Sequence, residues 1–330
     1  MTDSPNQPAA RRPRVTLYAV GGTIAGSAAS RTNTTDYQVG IGADELIAAV
    51  PEIAQIADVR HEQLANVASS DVGTTLLLQL SKTVSAALQD PDTDGVVITH
   101  GTDTLPESAF FLDLTVQSDK PVVFVGAMRP ASAVSADGPA NLLKAVALAG
   151  SAEARGRGVL IALNDRIGSA FYTNKTHSTS VETFRADEQG SLGVFINTRP
   201  RFWYAPATPL AKPHFDVSRL ETLPKVAILY AYQDQDDLLI DAAIQNGAQG
   251  IVIAASGHGS VSIPTKQRIR ELEATGFPVV RATRTGNGIV AEKPEGIGAG
   301  VYSVTKARWL LALALASGAS LAQIRALFTA

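Results

Sequence analysis

The chain has 330 residues, 45% hydrophobic and 18% charged, so it has room for two domains, material for a sizeable core and no resemblance to a disordered polymer. With 28 Lys and Arg against 31 Asp and Glu, its net charge of −3 gives no overall pull toward nucleic acid or an anionic membrane. The absence of cysteine removes disulfides, cysteine nucleophiles, zinc ribbons and cysteine-held iron–sulfur clusters.

In chain order, residues 1–13 are polar and lead into Arg11-Arg12-Pro13-Arg14. The apolar run that follows, Val15–Val20, is short, is interrupted by Thr16, and meets Gly21-Gly22 where a signal peptide would have a small-residue cleavage site. Residues 1–13 are therefore expected as a floppy tail, and the protein as cytoplasmic. Val15–Val20 itself predicts a strand ending in a glycine turn. Ala43–Val50 predicts a short helix stopped by Pro51. Leu77, Leu80, Val84 and Leu88 recur at helical spacing, with Asp71 as the expected cap. Gly95–Thr99 is a continuous apolar run, the type found in a parallel strand buried on both faces. A helix over 105–116, a strand over 121–125, a helix over 137–150 and a strand over 158–163 follow. This rhythm predicts an α/β fold with a mainly parallel sheet, occupying 14–200 as the larger, N-terminal domain.

The stretch 197–224 has five prolines (Pro200, Pro206, Pro209, Pro213, Pro224) and little periodicity, so 201–224 is expected as an inter-domain linker. The rhythm then resumes in a smaller α/β domain over 225–330. Its expected elements are strands over 226–232, 250–255 and 279–280 and helices over 237–245, 264–275, 304–316 and 320–328, the last capped by Ser320. No apolar run reaches the roughly 18–20 residues of a spanning helix; the longest, Trp309–Ala316, is far shorter.

Open parallel sheets bind ligands beyond the carboxyl ends of their strands. The segments in those places are Gly21-Gly22-Thr23, His100-Gly101-Thr102-Asp103, Gly126-Ala127-Met128-Arg129 and Asn164-Asp165. Gly21–Gly26 has Thr23 where a dinucleotide fingerprint requires its second glycine, and it lacks the Gly-Lys-Ser/Thr of a P-loop. Taken alone, it reads as readily as a tight turn, and Asp103 as readily as a helix cap. Together, the two segments put two threonines at carboxyl ends of one sheet, and a hydroxyl nucleophile requires such a place, with a base beside it and a group to hold that base. The five histidines (His61, His100, His177, His214, His258) show no metal-ligand spacing and read as surface or supporting residues. No Gly-x-Ser-x-Gly elbow occurs. Neither a metal nor a serine triad is expected.

Gly21-Gly22-Thr23-Ile24-Ala25-Gly26 and Thr99-His100-Gly101-Thr102-Asp103-Thr104 resemble the two signature segments of the bacterial-type L-asparaginase family, which includes glutaminase-asparaginases. The resemblance continues through Lys120–Val123, Gly126–Pro130, Ser135–Pro139, Asn141-Leu142, Thr173–Thr176, Thr183-Phe184, Thr285–Gly288 and Lys306–Arg308, and covers nearly all of 15–328. It implies a larger and a smaller α/β domain, hydrolysis of a side-chain amide to a carboxylate and ammonia, no cofactor, and a homotetramer of tight dimers with sites at the dimer interfaces. Thr23 matches the nucleophilic threonine and Tyr37 the tyrosine that closes over it. Ser69 matches the residue holding the substrate α-carboxylate, with Ser70 and Ala127 beside the substrate. Thr102, Asp103 and Lys175 match the second threonine, the aspartate and the lysine. Glu292 matches a glutamate supplied by the neighbouring subunit, with Glu295 as the alternative.

Three departures stand out. Ser70 replaces a glutamine or glutamate found in many members, His258 stands near an asparagine or serine of others, and the disulfide of many exported members is impossible here. The first two bear on side-chain selectivity and the third fits a cytoplasmic form. Chemically, Lys175 acts as a base only if burial lowers its pKa, and Asp103 opposes that shift. Asp103 is suited to bind the substrate α-ammonium, and Thr102 with backbone amides to stabilise an oxyanion. Which threonine attacks stays open; Thr23 is favoured because its glycine-flanked turn can move. The expected activity is L-asparagine hydrolysis. A dual glutaminase-asparaginase, a non-catalytic amino-acid-binding protein on the same fold and a nucleotide-binding oxidoreductase are the competing readings.

Overall fold

A computed structural model describes residues 11–209 and 211–329. Its strands are β1 (Arg14–Gly21), β2 (Gly26–Ser27), β3 (Gln38–Val39), β4 (Asp58–Val67), β5 (Gly95–Thr99), β6 (Val122–Val125), β7 (Val159–Leu163), β8 (Arg166–Ser169), β9 (Asn174–Lys175), β10 (Phe184–Arg185), β11 (Gly193–Ile196), β12 (Arg199–Phe202), β13 (Val226–Tyr230), β14 (Gly250–Ala255), β15 (Val279–Thr283) and β16 (Ile297–Gly298). The helices are α1 (Ala43–Ala48), α2 (Ile53–Ile56), α3 (Thr74–Gln89), α4 (Leu105–Thr115), α5 (Gly138–Ala149), α6 (Leu238–Gln245), α7 (Ile263–Ala274), α8 (Val304–Ala316) and α9 (Leu321–Thr329).

The larger sheet has eight strands in the order β12-β11-β8-β7-β6-β5-β1-β4. The run β7-β6-β5-β1-β4 is parallel, and β8, β11 and β12 extend it antiparallel. Its central strands are buried on both faces. Val97, Val123 and Leu160 point into one core with α1, α2 and α5, while Val96, Ile98 and Phe124 point into the other with α3 and α4. That period-2 division of an all-apolar run is what a sheet covered by helices on both sides requires. The smaller sheet, β13-β14-β15-β16, is wholly parallel. Ile251 and Ile253 meet α6 and α7 on one face; Val252 and Val280 meet α8 and α9 on the other. Helices α4 and α8 pack against one another, with Phe111 and Trp309 ring centroids 5.2 Å apart, so one apolar core runs across both domains.

The structure departs from the sequence-based expectations in identifiable places. Strand β4 is polar and largely exposed because it is a sheet edge, where only one face and one side are covered; its alternation is too weak to read. Asp71 lies in a 3-10 turn, Ser69–Asp71, and the cap of α3 is Gly73, without a side-chain bond. The proline-rich stretch begins with strand β12, and Pro200 fits there because the outermost strand leaves one side unpaired. Among the described residues no helix or strand follows until Val226. That segment is nevertheless docked on α4: Phe215 donates its N–H to the Leu114 carbonyl at 2.8 Å, and Lys212 pairs with the buried Asp113 at 2.6 Å. Of the expected tail, 1–10 lie outside the described residues. Arg11 pairs with Asp94, and the Pro13 carbonyl accepts from Asp58 N–H, so 11–13 are held to the fold. Ser320 does cap α9, its Oγ accepting from Gln323 N–H while Gln323 Oε1 accepts from Ser320 N–H.

Candidate active site

Strands β6, β5, β1 and β4 are neighbours, and their carboxyl ends deliver Ala127, Thr102, Thr23 and Ser69 to one rim of the sheet. The turns there are pressed together. Gly22 has φ 86°, and a Cβ on it would lie 2.1 Å from Gly101 Cα. A Cβ on Gly101 would lie 2.8 Å from Ser69 Cβ. Only glycine permits this stacking of three turns, and it brings the segment holding Thr23 against the one holding Thr102. The loop after β6 is tied down from the start of α5. Asp137 accepts from the Met128 and Arg129 N–H groups at 3.0 and 2.9 Å, and Asn141 donates to the Gly126 carbonyl at 3.1 Å.

Two polar clusters result. In the first, Thr23 Oγ1 and Tyr37 Oη are 2.5 Å apart; Tyr37 immediately precedes β3, which pairs with β2 just beyond the Thr23 turn. In the second, Lys175 Nζ donates to Thr102 Oγ1 at 3.0 Å and to Asp103 Oδ1 at 2.6 Å. Lys175 reaches them from β9, which is held in register by β10 through the Phe184 pairing. Thr23, Thr102 and Ser69 are buried, whereas the Asp103 side chain is 75% exposed. Asp103 is therefore free to meet a ligand and does not cap α4, whose N-cap is Thr104 without a side-chain bond. Thr104 Oγ1 instead donates to the Ser69 carbonyl at 2.7 Å. Asp103 and Lys175 also border a cavity of about 600 Å³ shared with Tyr230, Arg284 and Asn287 of the C-terminal domain.

Beneath the second cluster lies His100. It is fully buried, its Nδ1 is 2.8 Å from the Gly101 carbonyl oxygen, and its ring is 5.8 Å from that of Phe124. Burial pushes its pKa down to about 4, opposed by the bond to Gly101. A neutral imidazole with Nδ1 as donor fits this place. The signal in the sequence that separates it from a surface histidine is its place between an apolar strand and Gly101. Asp137 and Asn141 enter the sequence analysis through the resemblance alone, and no pattern in the sequence gives their hold on the loop after β6.

Of the other expected residues, Ser70 is exposed in the same turn as Ser69, and Ala127 is buried just beyond the end of β6. Glu292 is in the C-terminal domain, 60% exposed, with Arg325 at 3.5 Å, and no hydrogen bond joins it to the clusters among the described residues. Glu295 is engaged by Arg270 at 2.8 Å and lies 3.8 Å from Arg281. His258 is exposed, with Nδ1 2.8 Å from the Ile289 carbonyl oxygen. Among the described residues, no group of three or more His, Cys, Asp or Glu is placed to hold a metal, and no helix is long and apolar enough to cross a membrane.

A two-domain α/β protein with paired hydroxyl, lysine and carboxylate groups at the carboxyl ends of a parallel sheet has the make-up of a hydrolase. The family model described as "Asparaginase, N-terminal" matches residues 14–208, and "Glutaminase/Asparaginase C-terminal domain" matches 225–328. The chain belongs to the asparaginase family. L-asparaginase 2 of Bacillus subtilis is 45% identical over 328 residues, 96% of this chain and 86% of that protein. Probable L-asparaginase 3 of Schizosaccharomyces pombe is 46% identical over 319 residues, 96% of this chain and 89% of that one. The crystal structure of a probable cytoplasmic L-asparaginase from Campylobacter jejuni superposes with a TM-score of 0.92 at 42% identity, covering 96% of this chain and 99% of the other.

Proposed function

We propose that this protein is an amidohydrolase that converts L-asparagine to L-aspartate and ammonia, with Thr23 as nucleophile. The observation that carries the reading is the pairing of each rim threonine with a different partner: Thr23 with Tyr37 at 2.5 Å, and Thr102 with Lys175 at 3.0 Å. An amide is a poor electrophile and a neutral hydroxyl a weak nucleophile, so both have to be activated. In the productive direction Thr23 donates to Tyr37 Oη. As Thr23 Oγ1 bonds to the side-chain amide carbon, Tyr37 takes its proton and passes its own to the departing nitrogen. Ammonia leaves and an ester on Thr23 remains; water then splits the ester, restoring the Thr23 hydroxyl and releasing aspartate.

The second cluster is suited to a different task. Thr102 Oγ1 already accepts from Lys175, which leaves its own O–H to donate to the substrate oxygen or the attacking water. A lost oxyanion donor usually costs about 10²–10³ in rate. Asp103, exposed on one side and held by Lys175 on the other, suits the substrate α-ammonium; Ser69, Ser70 and the segment of Ala127 line the rest. The reaction needs no cofactor. The test is ammonia release from L-asparagine, L-glutamine and D-asparagine under identical conditions. Release from L-asparagine well above the other two is expected, and no release from any of them would reject the reading.

The same reading places the active form as a homo-oligomer, a tetramer with sites at dimer interfaces, in the cytoplasm. Supporting it are Glu292, which is 60% exposed and meets Arg325 at 3.5 Å where Glu295 is engaged by Arg270 at 2.8 Å, and the exposed apolar side chains Ile228, Tyr230, Tyr232 and Leu238. The Campylobacter jejuni protein is named cytoplasmic, whereas the Haemophilus influenzae relative, 42% identical over 93% of this chain and 90% of its own length, is named periplasmic. Mixing inactive Thr23→Ala and Glu292→Ala subunits should restore activity in hybrid sites; no recovery after verified subunit exchange would place Glu292 in its own chain's site or in none.

A further inference from the structure

Lys306 is 1% exposed, one of the largest side chains wholly inside the protein. It lies on α8 of the C-terminal domain, yet both of its hydrogen bonds cross to the N-terminal domain. Nζ donates to the Phe171 carbonyl at 2.9 Å and to the Thr173 carbonyl at 2.8 Å, and it sits 5.6 Å from the Phe110 ring centroid. An ammonium in such a place is costly unless it is fully used. Burial pushes its pKa down to about 7, against the pull of Asp113. A neutral amine keeps two N–H donors, which is the number of carbonyls it meets.

What those carbonyls belong to gives the lysine a purpose. Thr173 directly precedes β9, and β9 is only two residues long: Asn174 and the Lys175 of the active site. So short a strand fixes little by itself. On its far side it is held by β10 and by Thr176 N–H donating to the Thr183 carbonyl. On its near side Thr173 N–H donates to the Ser169 carbonyl, but the carbonyls of Phe171 and Thr173 are held by Lys306.

We propose that Lys306 is a positioning residue for the amidase reaction: by clamping the Phe171 and Thr173 carbonyls it fixes the path of the chain into β9 and so holds Lys175 against Thr102 and Asp103. It makes the C-terminal domain part of the catalytic apparatus of its own subunit. The inference rests on the reading of Lys175 as an active-site residue. A shift of under an ångström at β9 is enough to open the 3.0 Å bond to Thr102, and misplacement on that scale lowers turnover more than it lowers binding.

The test compares Lys306→Met, Lys306→Arg, Trp309→Phe and Lys175→Met as full-length protein. Trp309→Phe loosens the same inter-domain core without touching either carbonyl. Lys306→Met should lower kcat about tenfold or more with KM within about threefold, and Lys306→Arg, which restores donors, should recover most of it. Trp309→Phe should lower Tm yet keep kcat within about threefold of wild type. If Lys306→Met does not fold, Lys306→Gln takes its place in the same comparison. A Lys306 variant that loses Tm as Trp309→Phe does but keeps wild-type kcat overturns the positioning role, and so does a Trp309→Phe that loses kcat equally. An active Lys175→Met overturns the reading of the site, and the proposal with it.

Discussion

The two mainly parallel sheets of this protein are built alike and used differently. Each is covered by helices on both faces, and each presents threonines at its strands' carboxyl ends. In the smaller sheet, Thr283 and Thr285 share a bond of 2.8 Å, and Thr285 Oγ1 donates to the Asn287 carbonyl at 2.9 Å. These hydroxyls satisfy one another and the backbone. In the larger sheet, Thr23 and Thr102 are bonded to Tyr37 and Lys175, side chains that can move protons or hold charge. A hydroxyl at a strand end is thus a position, and in the proposed reaction its partner makes it a reagent. The larger sheet gains those partners because glycine turns let three strand ends meet and because a two-residue strand brings a lysine in from outside.

Replacing the hydroxyls tests that contrast most severely. Thr23→Ala and Thr102→Val are expected to fold normally and each to lose about 10²-fold or more in kcat, since each removes a group that the proposed reaction puts at the reacting centre. Thr283→Val should stay within about threefold of wild type. A Thr23 or Thr102 variant that keeps a tenth of wild-type turnover would cancel the distinction between the sheets.

Gly22→Ala attacks the stacking instead of the chemistry. The new methyl meets Gly101 Cα, and φ is positive, so the turn has to move at a cost of at least about 1–3 kcal/mol. The expected result is a lowered Tm together with a loss of turnover above about tenfold. Wild-type turnover in a folded Gly22→Ala protein would mean that the close approach is incidental.

The sheets also differ in the charge they bury. The smaller one holds the guanidinium of Arg281, bonded to the Gly259 and Glu295 carbonyls at 2.7 and 2.9 Å. The larger one holds the neutral His100, with its pKa at about 4. Unfolded, that imidazole titrates near 6.5, so between pH 6.5 and 4 the unfolded chain binds more protons than the folded one. Stability therefore rises with pH across this window and is lost as pH falls through it, by up to about 1.4 kcal/mol per unit. Denaturant melts at pH 6.5, 5.5 and 4.5 should show the slope, and His100→Gln should flatten it. An equal slope in the variant would assign the acid sensitivity to other groups.

Much of this contrast was legible in the sequence, and what was not has physical causes. The apolar runs 95–99, 121–125 and 250–255 announce parallel strands because burial on both faces leaves no room for polar residues. The two threonine segments were visible because they directly follow such runs. Strand β4 was missed because an edge strand is mostly wet, and β8, β11 and β12 because antiparallel extension requires no helical punctuation between strands. Sequence does not distinguish a capping aspartate from one in a turn, so the pattern predicts a cap where Asp71 ends a 3-10 turn. The purpose of Lys306 was hidden because its partners are backbone carbonyls, which any residue supplies.

The smallest expected effect concerns Ser70, beside the shared rim. It is shorter than the glutamine or glutamate that the resemblance implies at this place in many members, so in the proposed site it should anchor the α-amino end of the substrate loosely, through a water. The longer glutamine should be penalised more. We expect kcat/KM for asparagine at least about tenfold above that for glutamine, a difference of about 1.4 kcal/mol. Ser70→Gln should tighten both substrates and narrow the ratio; an unchanged ratio would remove Ser70 from selectivity.

The central claim is that Thr23, paired with Tyr37, forms the covalent bond to the substrate. Acid-quenching the protein during turnover with L-asparagine, followed by digestion and mass spectrometry, reads that bond directly. The aspartyl ester is predicted on the peptide containing Thr23. An ester on the peptide containing Thr102 would contradict the claim and exchange the roles of the two threonines.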